Sequence, residues 1–348
     1  MIKRLLVLLL LAEAAAVLLL AWGASQWWLL AGLPALGVGL AVLLLLRLLI
    51  TVNNFHLSWR KGSATPAEHV LAPLPWLRML LGEFAATMLT SSWTMLRPVG
   101  WQVPPAGQHG LRHGQPHRQP HRQPHSQPHR QPHSQPQGRQ AGAGLPVLLV
   151  HGYACNGGYW RQLSARLRQA GISHAALDLE PPGGDIDDFA DQLEQAAARL
   201  CAATGSVQLI VVGHSMGGLV ARAWMRRYGS ARVARVITLG TPHHGTALAG
   251  FGPGRNAVQM RHQSDWLAAL AASEANSQRG LITSIYSHHD NIVAPQDSGF
   301  LPGARNIALG AIGHVALGRH ASVLQLTLEE IAAANMSARA MDSGAALA

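Results

Sequence analysis

The sequence predicts a doubly wound α/β domain over residues 145–334, preceded by N-terminal transmembrane helices, and three observations favour this fold class. Short aliphatic runs without polar alternation are interleaved with helical patterns, which is typical of a mostly parallel sheet covered on both faces. Two long apolar runs open the chain. With 48% hydrophobic and only 13% charged residues, the composition also leans toward a membrane-associated protein.

Each apolar run is about as long as the roughly 20 helical residues that cross a hydrocarbon core. The runs occupy residues 5–22 and 27–50. Glu13 interrupts the first run and Arg47 interrupts the second near its end. Residues 23–26, Gly-Ala-Ser-Gln, leave room only for a tight turn. We therefore expect a transmembrane helical hairpin over residues 1–52.

The alternative for the first run is a cleaved signal peptide, because Lys3 and Arg4 resemble an n-region and small residues at 21–25 offer a processing site. In both cases positive residues are retained on the cytoplasmic side of the membrane. They flank both ends of the apolar pair: Lys3, Arg4, Arg47, Arg60 and Lys61. We expect a multi-pass protein of a bacterial inner membrane whose α/β domain faces the cytoplasm.

Residues 53–106 are predicted to form a juxtamembrane helical region. An apolar stretch with scattered polar positions covers residues 74–98 and ends at a proline. It is either an interfacial helix with Trp76 and Trp93 near the lipid headgroups or a helix packed on the α/β domain. The sequence leaves both possibilities open.

Residues 107–144 are predicted to be a disordered linker, in which Gln-Pro-His-Arg and Gln-Pro-His-Ser units repeat from Gln115. A proline at every fourth position excludes an α-helix, and without apolar residues to bury the segment is expected to be a hydrated spacer. In polyproline II, successive histidines rotate by about 120°, so no metal site is preformed. A membrane-tethered metal-binding or scaffold protein that uses these histidines is the alternative function.

The formal net charge of +10 belongs to the first part of the chain. Residues 1–144 hold 12 Lys and Arg against 3 Asp and Glu, whereas residues 145–334 hold 14 against 13. A nearly neutral domain has no clustered basic face for phosphate groups. No nucleic-acid partner is therefore expected.

Six strands and four helices are predicted in the α/β domain. The strands are at residues 145–150, 175–179, 207–212, 233–239, 281–287 and 306–309. The helices are at residues 159–169, 186–203, 216–228 and 321–334. Residues 335–348 are expected to be a flexible tail.

The sequence Gly213-His214-Ser215-Met216-Gly217 lies between the third strand and the third helix. In such a turn the serine backbone is strained, and side chains at 213 and 217 would clash with adjacent elements. The helix N-terminus directs its positive end toward the place where an oxyanion would form. Ser215 is therefore the predicted nucleophile.

A serine nucleophile needs a base that is oriented by an acid, and in this architecture the chain order is serine, acid, histidine. Asp290 follows the fifth strand, at the edge where active sites assemble, and is the predicted acid. Asp297 in the same loop is the second choice. His314, after the sixth strand, is the predicted base, and His320 at the start of the last helix is its competitor.

Two backbone amides are expected to bind the oxyanion. One belongs to Met216, which follows the nucleophile. The other belongs to Tyr153, in the loop His151-Gly152-Tyr153 after the first strand. Gly152 allows this loop to turn toward the pocket.

Three stretches together resemble the bacterial triacylglycerol lipase and esterase group of the α/β-hydrolase superfamily. They are His-Gly-Tyr-Ala-Cys-Asn at 151–156, Gly-His-Ser-Met-Gly at 213–217 and Leu-Gly-Thr-Pro-His-His-Gly-Thr at 239–246. The resemblance covers residues 145–334. It implies an α/β-hydrolase fold with a lid insertion at about 247–280 and a carboxylic-ester hydrolase acting on lipidic or acyl esters. Thioester or amide cleavage on the same fold is the alternative chemistry.

One departure from the resemblance concerns calcium. Many secreted bacterial lipases carry an aspartate of a calcium site just after the catalytic histidine, whereas His314 is followed by Val-Ala-Leu-Gly-Arg. We expect no calcium and no other metal or cofactor. Cys155 and Cys201 could pair in an oxidising compartment, but two cysteines do not decide this. The sequence also leaves the oligomeric state open.

Overall fold

The computed structural model of the protein describes residues 1–27, 32–103 and 144–345, without the side chains of 341–345. The Gln-Pro-His repeat lies outside the described residues. The prediction of a disordered linker there, and the alternative of metal binding by its histidines, therefore stay predictions.

Three helices precede the repeat, and we refer to them together as the N-terminal helices. They are α1 (Ile2–Trp27), α2 (Leu33–Lys61) and α3 (Pro73–Leu89). By length and composition, α1 and α2 are each apolar enough to cross a bilayer, and most of their surface is not buried by the protein. Their small residues pack against each other at Ala21, Ala24 and Ala35. The turn expected at residues 23–26 is wrong, since α1 continues through them to Trp27. These residues contain no proline that would stop the helix.

Six strands form one sheet in which every pair is parallel. They are β1 (Val147–Val150), β2 (His174–Leu177), β3 (Leu209–His214), β4 (Val233–Leu239), β5 (Ile282–Ser287) and β6 (Arg305–Leu309). Their order is β2-β1-β3-β4-β5-β6, so the direction of winding reverses between β1 and β3. Loops at the carboxyl ends of these two strands border the crevice where ligands bind in open α/β sheets. The predicted doubly wound parallel sheet is confirmed.

Helices cover both faces of the sheet. In chain order, the helices after β1 are α4 (Arg161–Gln169), α5 (Ile186–Thr204), α6 (Met216–Tyr228), α7 (Arg255–Gln259), α8 (Asp265–Ser273), α9 (Asn276–Arg279) and α10 (Ala321–Ala345). Of these, α5 and α6 cover one face, and α4 and α10 cover the other. Leu148 in β1 faces the core formed with α5 and α6, and its neighbour Leu149 faces the core formed with α4 and α10. Side chains alternate across a strand, so both faces must be apolar.

The structure describes the residues of the predicted lid and most of those of the predicted C-terminal tail. Helices α7, α8 and α9 lie within residues 247–280, which are predicted to form a lid. The last helix continues to Ala345, beyond its predicted end at 334, so the expected flexible tail is helical as far as Ala345. No proline interrupts this alanine-rich stretch.

Candidate active site

Ser215 lies between the end of β3 and the start of α6, with φ 53° and ψ −122°. A positive φ is strained for a residue with a side chain. Here it allows the chain to turn sharply at Ser215, between the strand and the helix. The crowding expected at both glycines is present. A Cβ on Gly213 would lie 2.7 Å from the carbonyl carbon of Gly217, and a Cβ on Gly217 would overlap the backbone of β1. Glycine at both positions is what permits this sharp turn.

The backbone of Ser215 is held on both sides by the end of β4 and the residues that follow it. Its amide donates to the Leu239 carbonyl at 2.9 Å, and its carbonyl accepts from the Thr241 hydroxyl at 2.8 Å. Both partners belong to the Leu-Gly-Thr-Pro-His stretch at 239–243. This stretch therefore fixes the strained conformation of the predicted nucleophile.

The predicted acid and base form a buried pair. Nδ1 of His314 lies 2.7 Å from Oδ2 of Asp290, and both side chains are almost fully buried. The other oxygen, Oδ1, accepts from the amides of Ile292 and Val293 at 2.8 and 2.7 Å. Because both carboxylate oxygens are occupied, Asp290 presents a fixed acceptor to Nδ1 and leaves Nε2 of His314 available for proton transfer.

The charges around His314 favour its protonated form. Burial alone would lower the pKa of the imidazole, but the charge and hydrogen bond of Asp290, together with the charge of Glu83, raise the pKa of His314 above its usual value. The His314 amide also donates to Oδ1 of Asn291 at 2.9 Å. A basic imidazole on a fixed backbone is suited to general-base chemistry.

The loops of the predicted nucleophile and the predicted base meet through His214, the residue before Ser215. Nε2 of His214 donates to the His314 carbonyl at 3.2 Å, and the two rings lie 4.6 Å apart. Burial holds the pKa of His214 well below its usual value, so its ring is neutral near pH 7. The structure thus brings the turn at Ser215 against the Asp290–His314 pair.

The loop after β1 approaches the same point from the other side. A Cβ on Gly152 would lie only 2.9 Å from the Cβ of Ser215. The buried His151 ring fixes this loop, because Nε2 accepts from the Leu179 amide at 3.0 Å and Nδ1 donates to the Gly152 carbonyl at 2.8 Å. Burial lowers the pKa of His151, which favours this neutral form. The amide of Tyr153 follows directly in this loop.

Met216, the other predicted amide donor, is the first residue of α6. The first amides of a helix have no acceptor inside the helix, and the helix dipole adds positive potential there. Its amide is therefore free to bind an anion beside Ser215.

The competing residues lie elsewhere. The side chain of Asp297 is exposed in a short 3₁₀ helix, Gln296–Gly299. His320 is exposed just before α10, where its ring bonds to the Ser322 hydroxyl at 2.7 Å. Neither contacts the pair of Asp290 and His314. Cys155 and Cys201 are both free thiols.

Sequence reasoning missed several polar residues that touch this site, among them Asn291, Gln296, Ser58 and Glu83. Asn291 has already been described. Ser58, near the end of α2, donates to the carbonyl of Asp290 at 2.6 Å. Glu83, on α3, accepts from two amides directly after His314. The only signal for Glu83 is that it is an acidic residue in a mainly apolar helix, and Ser58 gives no such signal because the end of α2 around it is polar. In the described ranges 1–27, 32–103 and 144–345, no three acidic, cysteine or histidine side chains are grouped to hold a metal ion.

Comparison with known proteins agrees with the observed fold. Residues 146–255 match the family model for the alpha/beta hydrolase fold. The domain has the α/β-hydrolase fold. Triacylglycerol lipases of Pseudarthrobacter phenanthrenivorans and Burkholderia plantarii are each 34% identical to this chain over 116 residues, which is 30% of this chain. The alignments cover 35% and 32% of those lipases, so the chain spans about a third of their length.

A solved structure also resembles the α/β-hydrolase domain. The lipase BlEst2 from Bacillus licheniformis, in its mature form, superimposes with a TM-score of 0.50 at 18% identity. The match covers 55% of this chain and 93% of that lipase. At this identity the likeness shows the fold alone. The α/β domain therefore has an α/β-hydrolase fold and is distantly similar in sequence to bacterial triacylglycerol lipases.

Proposed function

We propose that this protein is a membrane-anchored serine hydrolase that cleaves carboxylic esters. The observation that carries the proposal is the strained Ser215 at the strand-to-helix turn, with the buried, hydrogen-bonded pair of Asp290 and His314 packed against that turn. A serine hydroxyl is a weak nucleophile until a neighbouring base removes its proton. The chain order of these three residues is that of α/β hydrolases.

In the proposed reaction, the Ser215 hydroxyl oxygen attacks the ester carbonyl and its proton passes to Nε2 of His314. The amides of Met216 and Tyr153 bind the oxyanion of the tetrahedral intermediate. The intermediate collapses to an acyl-serine, and the alcohol leaves with the proton from His314. Water then repeats the sequence, releasing the acid and restoring Ser215. Asp290 keeps the imidazole oriented throughout.

Two observations favour a lipidic or acyl ester as substrate. The relatives named above are triacylglycerol lipases. In addition, α2 and α3 contact the loops that carry Asp290 and His314, so an anchor through α1 and α2 would keep the site close to the membrane surface.

The packing of α1 supports a retained hairpin rather than a removed signal peptide. Ile2 and Leu6 are buried against Met95 and contact Cys155 in the loop after β1. Removing α1 would expose this apolar surface. We infer that the hydrolase domain faces the cytoplasm of a bacterial inner membrane, because positive residues flank both ends of the hairpin. Protease cleavage of the Gln-Pro-His repeat in sealed vesicles of known orientation tests this topology.

Labelling with a fluorophosphonate probe tests the proposed activity on the full chain in lipid nanodiscs. We expect covalent modification at Ser215, located by mass spectrometry, and no labelling of a Ser215→Ala variant. A folded wild-type protein that does not label would contradict the proposal. A panel of esters of increasing acyl length, with matched thioesters and amides, then identifies the preferred bond and separates ester cleavage from thioester and amide cleavage.

A further inference from the structure

Helix α3 carries one acidic residue, Glu83, and its carboxylate is buried in the catalytic domain with 1% of the residue exposed. Oε1 accepts from the amide of Val315 at 2.9 Å, and Oε2 accepts from the amide of Ala316 at 2.8 Å. These amides begin the 3₁₀ turn Val315–Gly318 that follows His314. Glu83 therefore supplies, from another part of the chain, the acceptor that a capping residue would supply locally.

The segment around His314 is closely fitted to this carboxylate. A Cβ on Gly313 would lie 2.6 Å from the carboxyl carbon of Glu83. Glu83 thus contacts the backbone on both sides of His314, at 313 and at 315–316. A buried carboxylate is costly unless amides or charges compensate it, and here two amides do so. An apolar residue would satisfy the packing of α3 but would leave both amides unpaired.

The far end of the α3 segment is fixed to the proposed membrane hairpin. Nη1 of Arg47, in α2, donates at 3.2 and 3.4 Å to the hydroxyls of Ser91 and Ser92, which lie in the π-helical turn Thr90–Thr94 that continues α3. The same guanidinium pairs with Glu13 in α1. Helix α3 therefore connects the hairpin, at one end, with the backbone that carries His314.

We propose that Glu83 is a positioning residue for the reaction. It holds the backbone directly after His314 and so keeps the imidazole aligned between Asp290 and Ser215. This inference rests on the proposed function, because it assigns Glu83 a role in the step that His314 performs. It also makes the N-terminal helices part of the working enzyme rather than an anchor alone.

The charge of Glu83, like its hydrogen bonds, supports His314 in its proposed role as the base. Burial raises the pKa of Glu83, although the amides of Val315 and Ala316 and the charge of His314 oppose the rise. Its ionised form raises the pKa of His314. The other titratable or charged groups that face Glu83, or line the groove beside it, come from several elements: Asp290, Tyr159, Arg78, Arg319 and His320.

The test compares Glu83→Gln with wild type as full-length protein in nanodiscs. The amide keeps the volume but turns one acceptor into a donor that faces a backbone N–H. We expect kcat for an ester that wild type cleaves to fall about tenfold, with KM little changed. The acid limb of the kcat/KM profile should move to lower pH. Glu68→Gln is the matched control, because it removes a carboxylate from an exposed position before α3 and should behave as wild type.

The outcomes separate this inference from the proposed function. Wild type that labels at Ser215, together with an unchanged kcat and pH profile for Glu83→Gln, overturns the positioning role and leaves the hydrolase assignment standing. Wild type that fails to label overturns both. If the glutamine variant does not fold, Glu83→Asp keeps the charge but withdraws it from the amides, and the same loss of kcat is expected. Failure of both variants to fold would show a structural role only and would overturn the inference.

Discussion

The α/β sheet and the N-terminal helices meet at the carboxyl edge of the strands, but they contribute differently to the candidate site. The sheet supplies the groups that would react. Ser215 follows β3, Asp290 follows β5 and His314 follows β6, so their positions depend on the parallel register of the sheet, in which β3 and β5 are fully buried. The N-terminal helices supply polar contacts, and two of their side chains, Ser58 and Glu83, bond to backbone at or directly after a predicted catalytic residue.

The sheet brings the predicted catalytic residues together, whereas the N-terminal helices hold the loops that carry two of them. Ser58 binds the carbonyl of Asp290, and Glu83 binds the amides that follow His314. Loops at the edge of a sheet are less constrained than its strands, so external contacts can decide how precisely their side chains are aligned. A fragment beginning at residue 145 would keep the three predicted catalytic residues and lose both supports.

The largest effect should come from the sheet side. Asp290→Asn removes the acceptor charge while keeping the shape, so kcat should fall about 10⁴-fold because the imidazole loses its orienting carboxylate. Ester hydrolysis by the full chain measures the loss. Asp297→Asn is the control, because this exposed carboxylate lies in the same loop and does not contact His314. Equal losses in the two variants would show that the acid has been wrongly assigned.

Local patterns explain why the sheet side could be predicted from sequence. Each strand lies within two residues of its predicted bounds, since buried parallel strands are short aliphatic runs ended by turn residues. The turn at Ser215 has a sequence pattern that its strained backbone requires. Asp290 and His314 followed from chain order and strand ends, and the structure places them 2.7 Å apart.

The N-terminal contacts could not be predicted, because they depend on how distant segments dock. Glu83 is 232 residues away from Val315 in the sequence. The sequence of α3 is equally compatible with an interfacial helix and with a helix packed on the α/β domain. Glu13 and Arg47 were visible only as interruptions of apolar runs. Their pairing depends on the register of α1 against α2, and the turn between these helices was itself misplaced.

The next largest effect is expected from breaking the pair of Glu13 and Arg47, which depends on the register of α1 against α2. Arg47→Leu leaves the Glu13 carboxylate without its partner and removes the bonds to Ser91 and Ser92, so we expect a loss of about 3 kcal/mol in unfolding free energy. Unfolding of the full chain in detergent measures it. Replacing Glu13 and Arg47 together by leucine should restore part of the stability, since no unpaired charge remains. A double variant less stable than Arg47→Leu would contradict this account.

The pH dependence of activity should reflect one carboxylate from each region, Asp290 from the sheet side and Glu83 from the N-terminal helices. His314 must be neutral to accept the proton of Ser215, and the carboxylates of Asp290 and Glu83 raise its pKa despite burial. We therefore expect kcat/KM to fall as pH decreases, by about tenfold per unit below this pKa, with a midpoint above the usual 6.5 of histidine. A midpoint below 6.5 in the wild type would show that burial outweighs both carboxylates.

The smallest effect concerns the end of α2. Ser58→Ala removes a buried donor from the carbonyl of Asp290 and an acceptor from Gln296, so unfolding free energy should fall by about 1 kcal/mol. Activity should fall only severalfold, because the Gln296 amide still donates to the same carbonyl at 3.1 Å. Ser63→Ala is the control, since its hydroxyl accepts from the amide of the exposed Asp297 in the same loop. If both alanine variants lose the same stability and activity, proximity to Asp290 is not what matters. A larger loss for Ser58→Ala alone would place the end of the proposed membrane anchor among the supports of the catalytic acid.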